Sequence, residues 1–140
     1  MTSMAIEFRV IEEGYEFVSA GPLYEHSALL DLATGNVLLQ SESGDLNEFP
    51  EIIDEKRYLP IPTRSELNLG KTLVLAFVDT VIPDGRPQVL DMFSRKGAYP
   101  RFKEFLDIHA LLDRWYEFES TETERALREW CARMAIPLEG

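Results

Sequence analysis

Apolar residues near the start of the chain recur at helical spacing. Between residues 8 and 19 they fall three or four positions apart, although residues 6–10 also alternate between apolar and polar as a strand does. The longer pattern favours a helix over residues 8–19, and Gly21 followed by Pro22 would end it.

Two apolar stretches after this helix predict a β-hairpin. Residues 27–32 and 37–41 flank the sequence Ala-Thr-Gly-Asn at 33–36, and glycine and asparagine tolerate the positive φ that hairpin turns require. Residues 41–55 are rich in Ser, Gly, Asn and acidic residues, so they predict an exposed acidic loop. Residues 58–62 have prolines at alternate positions, which favours an edge strand or a connector.

Past residue 62 the apolar spacing is helical again. Thr63 and Glu66 have the Thr-x-x-Glu spacing of a capping box, which predicts a helix that starts here. An apolar stripe follows at the spacing of one helix face, and Pro83-Asp84-Gly85 would stop this helix. The stripe consists of Leu69, Leu73, Val74, Phe77, Val78 and Val81.

Further helical segments are predicted toward the C-terminus. The apolar residues of 89–93 indicate a short helix that Gly97 closes, and Pro100 suits the first turn of the next helix. The helical spacing continues through residues 111–118. A second capping box, Thr121-x-x-Glu124, would open a last helix that Pro137 ends.

These patterns predict one α+β domain over residues 1–140. A small antiparallel sheet that contains the hairpin would pack against about five helices, and the C-terminal half would be entirely helical. An acidic part with the hairpin would occupy about residues 1–55, and a helical part about residues 63–137. The chain has 140 residues, 45% of them hydrophobic, which is enough to bury one core.

The charge is distributed unevenly along the chain. The formal net charge is −11: residues 1–55 hold twelve acidic residues and one basic residue, Arg9, whereas residues 56–140 hold thirteen of each. Such a charge repels nucleic-acid phosphates and anionic lipid surfaces, which argues against a general polyanion binder. The acidic first half either faces a basic partner or serves as the solubilising surface of a small domain.

The composition also indicates a compartment. One cysteine, Cys131, excludes an intrachain disulfide and a cysteine zinc cluster, and it fits a reducing intracellular environment. The N-terminus lacks the basic and apolar regions of a signal peptide, and no apolar run approaches the roughly 18 residues that a membrane span needs. We therefore expect a cytoplasmic protein that does not interact with a membrane.

Four spaced segments are similar to those of a known family. They are YLPIP at 58–62, KGAYPRFKEFL at 96–106, WYEF at 115–118 and ALREW at 126–130. Together with the upstream Thr-Gly turn and the acidic stretch, their order and spacing resemble the uncharacterised protein family UPF0158 over nearly the whole chain. The resemblance implies a small cytoplasmic bacterial α+β protein. It implies no catalytic residue, because the function of the family is unknown.

The densest group of basic residues surrounds Gly97, between two predicted helices. A helix N-terminus beside four cations can bind an anion, because free backbone N–H groups and the helix dipole both favour negative charge there, and a tyrosine could stack on a base. The structural alternative is that Gly97 caps a helix and the cations pair with acidic residues. The candidate ligand-binding residues are Arg95, Lys96, Gly97, Tyr99, Arg101 and Lys103.

Structural roles better explain the other residues that could bind a metal or take part in catalysis. Asp107, His109 and Asp113 lack the spacing of a metal motif, and a surface hydrogen bond between His109 and Asp113 at a helix start accounts for them. His26 is expected to be an exposed turn residue. Cys131 is expected to be a small buried hydrophobe on the apolar side of the last helix.

The aromatic residues of the C-terminal half are assigned to the core. Trp115 and Phe118 are expected to pack there with Trp130 of the following helix, whereas Tyr116 is expected at the surface. The chain contains no Gly-x-Ser-x-Gly nucleophile elbow, no glycine-rich phosphate-binding loop, no paired-histidine zinc motif and no dinucleotide-binding fingerprint. We therefore expect no catalytic residue, no metal and no cofactor.

The leading functional hypothesis is a non-enzymatic cytoplasmic domain that binds or regulates another protein. Small size, the acidic first half and the lack of a catalytic constellation favour it. The alternative is binding of nucleic acid or a phosphate-bearing ligand at the basic junction of residues 95–103. An enzyme whose site has no recognisable motif ranks third.

Overall fold

A computed structural model describes residues 5–20 and 26–139 of the chain. These residues form five α-helices, one 3-10 helix, a three-stranded antiparallel sheet and a parallel pair of strands, so the predicted α+β class is confirmed. In chain order the elements are β1 (Ile6–Glu7), α1 (Phe8–Ser19), β2 (His26–Asp31), β3 (Val37–Ser41), β4 (Tyr58–Pro60), α2 (Lys71–Val81), the 3-10 helix (Pro83–Gly85), α3 (Arg86–Met92), α4 (Ala98–Ile108), α5 (Leu112–Arg133) and β5 (Leu138–Glu139).

The contacts divide the chain into two compact units. Unit 1 comprises Met1–Leu67 and Arg125–Gly140, and unit 2 comprises Asn68–Glu124. Helix α5 therefore belongs to unit 2 in its first part and to unit 1 in its last turns. The single domain expected over residues 1–140 stays a prediction.

The three-stranded sheet lies in unit 1. Its order is β3-β2-β4, and β2 is antiparallel to both neighbours. The predicted hairpin is confirmed, with Leu29 opposite Leu38, and Gly35 has a φ of 79° in its turn, which glycine adopts without strain. Of the edge strand and the connector expected for residues 58–62, the structure has the edge strand, as β4 at Tyr58–Pro60.

Helix α1 packs against this sheet through a glycine. Its bounds confirm the predicted helix over residues 8–19, and the predicted stop at Gly21 and Pro22 lies outside the described residues. A Cβ atom on Gly14 would lie 3.1 Å from Cγ1 of Val37 and 3.4 Å from Cγ1 of Ile61. The absence of a side chain at this position lets the helix approach the sheet closely.

A parallel strand pair in unit 1 was not predicted. β1 pairs with β5, so that Ile6, which is 1% exposed, lies opposite Leu138. The last helix was expected to run to Pro137, but α5 ends at Arg133. There Ala135 has a φ of 55°, and the N–H of the next residue donates to the carbonyl of Cys131 at 2.9 Å, as in a Schellman motif.

Unit 2 is built around a cluster of aromatic rings. Trp115 is fully buried and makes edge-on contacts with Phe77 and Phe102, at centroid distances of 5.3 and 5.1 Å. The expectation that Trp115 lies in a core is confirmed. Trp130 is buried too, but it belongs to the same helix α5, not to a following one, and it lies in unit 1.

Both predicted capping boxes are wrong as helix starts. Thr63 and Glu66 do exchange the two hydrogen bonds of a capping box, each 3.2 Å, but they close a turn, and α2 begins only at Lys71. Thr121 lies inside α5, whose residues 112–133 form one continuous helix. Over the described part of the chain, no helix is long and apolar enough to cross a bilayer.

Candidate functional site

The structure only partly assembles the basic junction that the sequence proposes. Gly97 has a φ of 73° directly before α4, so it begins that helix and does not close α3, which ends at Met92. Arg95 pairs with Asp91 at 3.4 Å, a contact between two exposed side chains. Such a pair contributes little to stability but occupies one of the four cations.

Two further residues of the junction pack against neighbours. Tyr99 is half-buried and meets the ring of Phe93 edge-on at 5.1 Å, so its ring is partly covered by the protein itself. The ammonium of Lys103 lies 5.6 Å from the centre of the Tyr116 ring. Lys96 and Arg101 are exposed on either side of the start of α4. Ligand binding at this junction stays a prediction.

The histidines are held by backbone carbonyls. His109 lies 2.8 Å through Nδ1 from the carbonyl of Phe105, and among the described residues it makes no hydrogen bond with Asp113, so that expectation is wrong. His26 is the first residue of β2, not an exposed turn residue: it is half-buried, stacks on Phe17 at 4.6 Å and lies 3.0 Å through Nδ1 from the Phe17 carbonyl.

Two further candidate chemistries, a reactive cysteine and a metal site, depend on Cys131 and on the grouping of acidic and histidine side chains. Burial raises the pKa of the Cys131 thiol to about 11, so the thiolate is scarce at neutral pH and the expected inert, buried cysteine is supported. Cys131 is therefore not an activated thiol. Across residues 5–20 and 26–139, no three His, Cys, Asp or Glu side chains are grouped so that they could hold a metal ion.

The acidic loop, residues 42–55, is the most distinctive surface of unit 1. Its first part folds back along the outer edge of β3: the N–H of Ser41 donates to the carbonyl of Leu46 at 2.8 Å, and the N–H of Glu48 donates to the carbonyl of Leu39 at 2.9 Å. The Glu48 carboxylate in turn accepts the N–H of Leu39 at 2.8 Å. The loop therefore covers hydrogen-bonding groups that an edge strand would otherwise expose.

The second part of the acidic loop carries two exposed isoleucines. Ile52 is 85% exposed and Ile53 is 44% exposed. A turn follows directly, in which Asp54 accepts the N–H of Lys56 on its side chain at 2.9 Å and the N–H groups of Arg57 and Tyr58 on its carbonyl, each at 2.9 Å. The isoleucines thus precede a turn in which Asp54 accepts the N–H groups of residues 56–58.

An ion pair fixes the end of this turn to the sheet. Arg57 donates from Nε and from its terminal nitrogen to the two carboxylate oxygens of Asp31, at 2.9 and 3.0 Å. These hydrogen bonds are the main reason that the pKa of Asp31, which is 5% exposed, lies at about 2. Asp31 also accepts the N–H of Ala33 in the hairpin turn at 2.9 Å, so one carboxylate joins the hairpin to the end of the loop.

The charge of the acidic loop faces water. All of its acidic residues have exposed side chains, and no basic residue lies between positions 42 and 55. This confirms the exposed acidic loop expected at residues 41–55, except that Ser41 is the last residue of β3. The acidic residues are Glu42, Asp45, Glu48, Glu51, Asp54 and Glu55.

Ile52 and Ile53 were not predicted as surface residues from the sequence. Two adjacent isoleucines have no strand or helix periodicity, and an apolar residue usually signals a core. The only signal available was their position between Glu51 and Asp54, in a segment otherwise too polar to bury them.

The comparison with known families covers almost the whole chain. A model described as an uncharacterised protein family, UPF0158, matches residues 1–137. No curated protein and no solved structure matches.

Proposed function

The chain belongs to the uncharacterised protein family UPF0158, and we propose that it is a cytoplasmic, non-enzymatic domain that binds or regulates another protein through its acidic loop. The observation that carries this proposal is an acidic loop whose carboxylates are all exposed and whose end is tied to the sheet by the Asp31–Arg57 pair. A fixed array of one sign of charge accelerates and orients association with a surface of the opposite sign.

The chemistry of Cys131 supports a binding role over catalysis. The thiol of Cys131 is buried with a raised pKa, so it is a poor nucleophile. A catalytic cysteine is instead usually accessible and has a lowered pKa. A loop that needs only charge and shape complementarity requires no such cysteine.

Affinity purification of the tagged full chain tests the proposal. We expect a stoichiometric protein partner at low salt that survives nuclease treatment. The triple variant Glu42→Gln, Glu51→Gln, Glu55→Gln should lose this partner. We chose these positions because the structure gives their carboxylates no hydrogen bond with the rest of the described chain.

A matched variant in unit 2 controls for net charge. Glu104→Gln, Asp107→Asn, Glu117→Gln removes the same number of charges from exposed positions and should retain the partner. Equal loss from both variants, or no retained protein at all, would contradict the proposed function. Co-purifying RNA that disappears when Arg95, Lys96, Arg101 and Lys103 are replaced by Ala would favour the basic junction instead.

A further inference from the structure

We propose that Ile52 is the anchor of the acidic loop, and that it packs against an apolar surface bordered by lysine or arginine on a partner protein. The inference rests on the proposed protein-binding function and names the chemistry of the partner. Its starting point is the 85% exposure of an isoleucine side chain beside a second, partly exposed isoleucine. Isoleucine is among the residue types most often buried, so this side chain has apolar surface that only a further contact would remove from water.

The loop holds this side chain at low conformational cost. In the turn after Ile53, Asp54 accepts the N–H groups of residues 56–58, and the side chain of Arg57 is fixed to Asp31. At the other end, the hydrogen bonds between Leu39 and Glu48 attach the loop to β3. A segment that is already fixed at both ends loses less entropy on binding than a free tail does.

The charges around Ile52 decide which occupant fits. Glu51 lies on one side, and Asp54 and Glu55 lie two and three positions beyond. Burying Ile52 brings these carboxylates to the border of the contact, where a cationic border would be attracted and an anionic one repelled. A nucleic acid or an anionic lipid surface presents phosphates, which these carboxylates repel, so neither matches the charge around Ile52. A protein surface with lysine or arginine around an apolar patch both covers Ile52 and attracts the neighbouring carboxylates.

Unit 2 contains a matched control for this side chain. Ile108, at the end of α4, is 75% exposed and therefore comparable with Ile52 in chemistry and accessibility. Substituting serine at either position removes exposed apolar surface without creating a cavity. Neither substitution changes the net charge of the protein.

The probe is a fluorescent peptide of lysine and leucine, in which the leucines are spaced to form one apolar face of a helix. The peptide is titrated with the full-length protein, and binding is followed by fluorescence anisotropy. The wild type and Ile108→Ser should bind it alike, and Ile52→Ser should weaken binding about tenfold to a hundredfold, as expected for loss of one buried apolar side chain. A comparison peptide in which serine replaces leucine should bind the wild type as weakly as the leucine peptide binds Ile52→Ser.

Several results would overturn the inference. Equal binding of both peptides would mean that charge alone attracts them, and an unchanged affinity in Ile52→Ser, or an equal loss in Ile108→Ser, would mean that Ile52 is not the anchor. The outcome is separable from that of the proposed function. A partner captured by the wild type and lost from the triple acidic variant would leave the function standing even if Ile52 proved irrelevant.

Discussion

Replacing Asp31 with asparagine would remove the ion pair that joins the acidic loop to the hairpin. Asp31 is buried, and its hydrogen bonds from Arg57 lower its pKa to about 2, whereas an aspartate in an unfolded chain has a pKa of about 3.9. Because the folded value is the lower one, the ionised carboxylate stabilises the folded state above the unfolded pKa. This contribution is lost as the pH falls through about 2.

The difference between the two pKa values sets the size of the effect. It corresponds to about 2 kcal/mol of unfolding free energy at pH 7. This figure already includes a reduction, because the Arg57 side chain is 45% exposed and water partly screens its charge. At a pH of about 3 the contribution falls to about 1 kcal/mol, because the unfolded carboxyl is then largely protonated and the folded one is not. Asp31→Asn should therefore be destabilising at neutral pH and progressively less so in acid.

Urea unfolding followed by circular dichroism at several pH values measures this dependence. The control is Glu55→Gln, which removes the same charge from an exposed position and should change the unfolding free energy by less than about 0.5 kcal/mol. If Asp31→Asn costs no more than Glu55→Gln at pH 7, the pair does not stabilise the fold. If its cost does not shrink between pH 7 and about pH 3, the cost comes from something other than the ionised carboxylate.

Other substitutions and a thiol assay examine further parts of the structure. Gly85→Ala should lower the unfolding free energy by about 1–3 kcal/mol in urea titrations, because a Cβ there would lie 2.9 Å from Cζ of the buried Phe105; unchanged stability would show that the ring moves aside freely. Thr63→Ala should lower the unfolding free energy by about 1 kcal/mol in the same titrations, because it removes the hydrogen bond from the N–H of Glu66. Thr121→Ala should be neutral or slightly stabilising, because Thr121 lies inside α5; a loss as large as that at Thr63 would indicate that Thr121 makes a comparable hydrogen bond to the backbone. Cys131 should react with a thiol reagent at pH 8 only after denaturant is added, because the thiol is buried and its pKa lies at about 11; rapid reaction of the native protein would contradict that burial.

Local signals in the sequence were reliable wherever one segment alone decides the structure. The spacing of apolar residues located α1 and the stripe of α2, and Gly35 between two apolar stretches located the hairpin. The excess of acidic residues before position 56 located the acidic loop. In each case the periodicity, the turn residue or the polarity lies within a few neighbouring positions, so it can be read without knowing what packs against it.

The predictions were wrong for segments whose secondary structure depends on residues distant in sequence or on competing local signals. The pairing of β1 with β5 joins residues from opposite ends of the chain, and strands of two residues have no periodicity to detect. The Thr-x-x-Glu pattern at Thr121 is compatible with a helix start, but the residues on both sides of it also favour helix, and α5 continues through it. The pattern at Thr63 forms its hydrogen bonds and yet closes only a turn.

For the candidate site, the sequence by itself determined which charged and apolar groups the acidic loop contains. The tertiary structure determined which of these groups are exposed and what holds the loop in place. Residue order established that acidic residues and two isoleucines share one segment without a basic residue. Only the folded chain decided that Asp31 and Arg57 meet, that the loop covers the edge of β3 and that Ile52 remains in water. The physical reason is that charge and polarity belong to each residue, whereas exposure and pairing depend on segments far apart in sequence coming together.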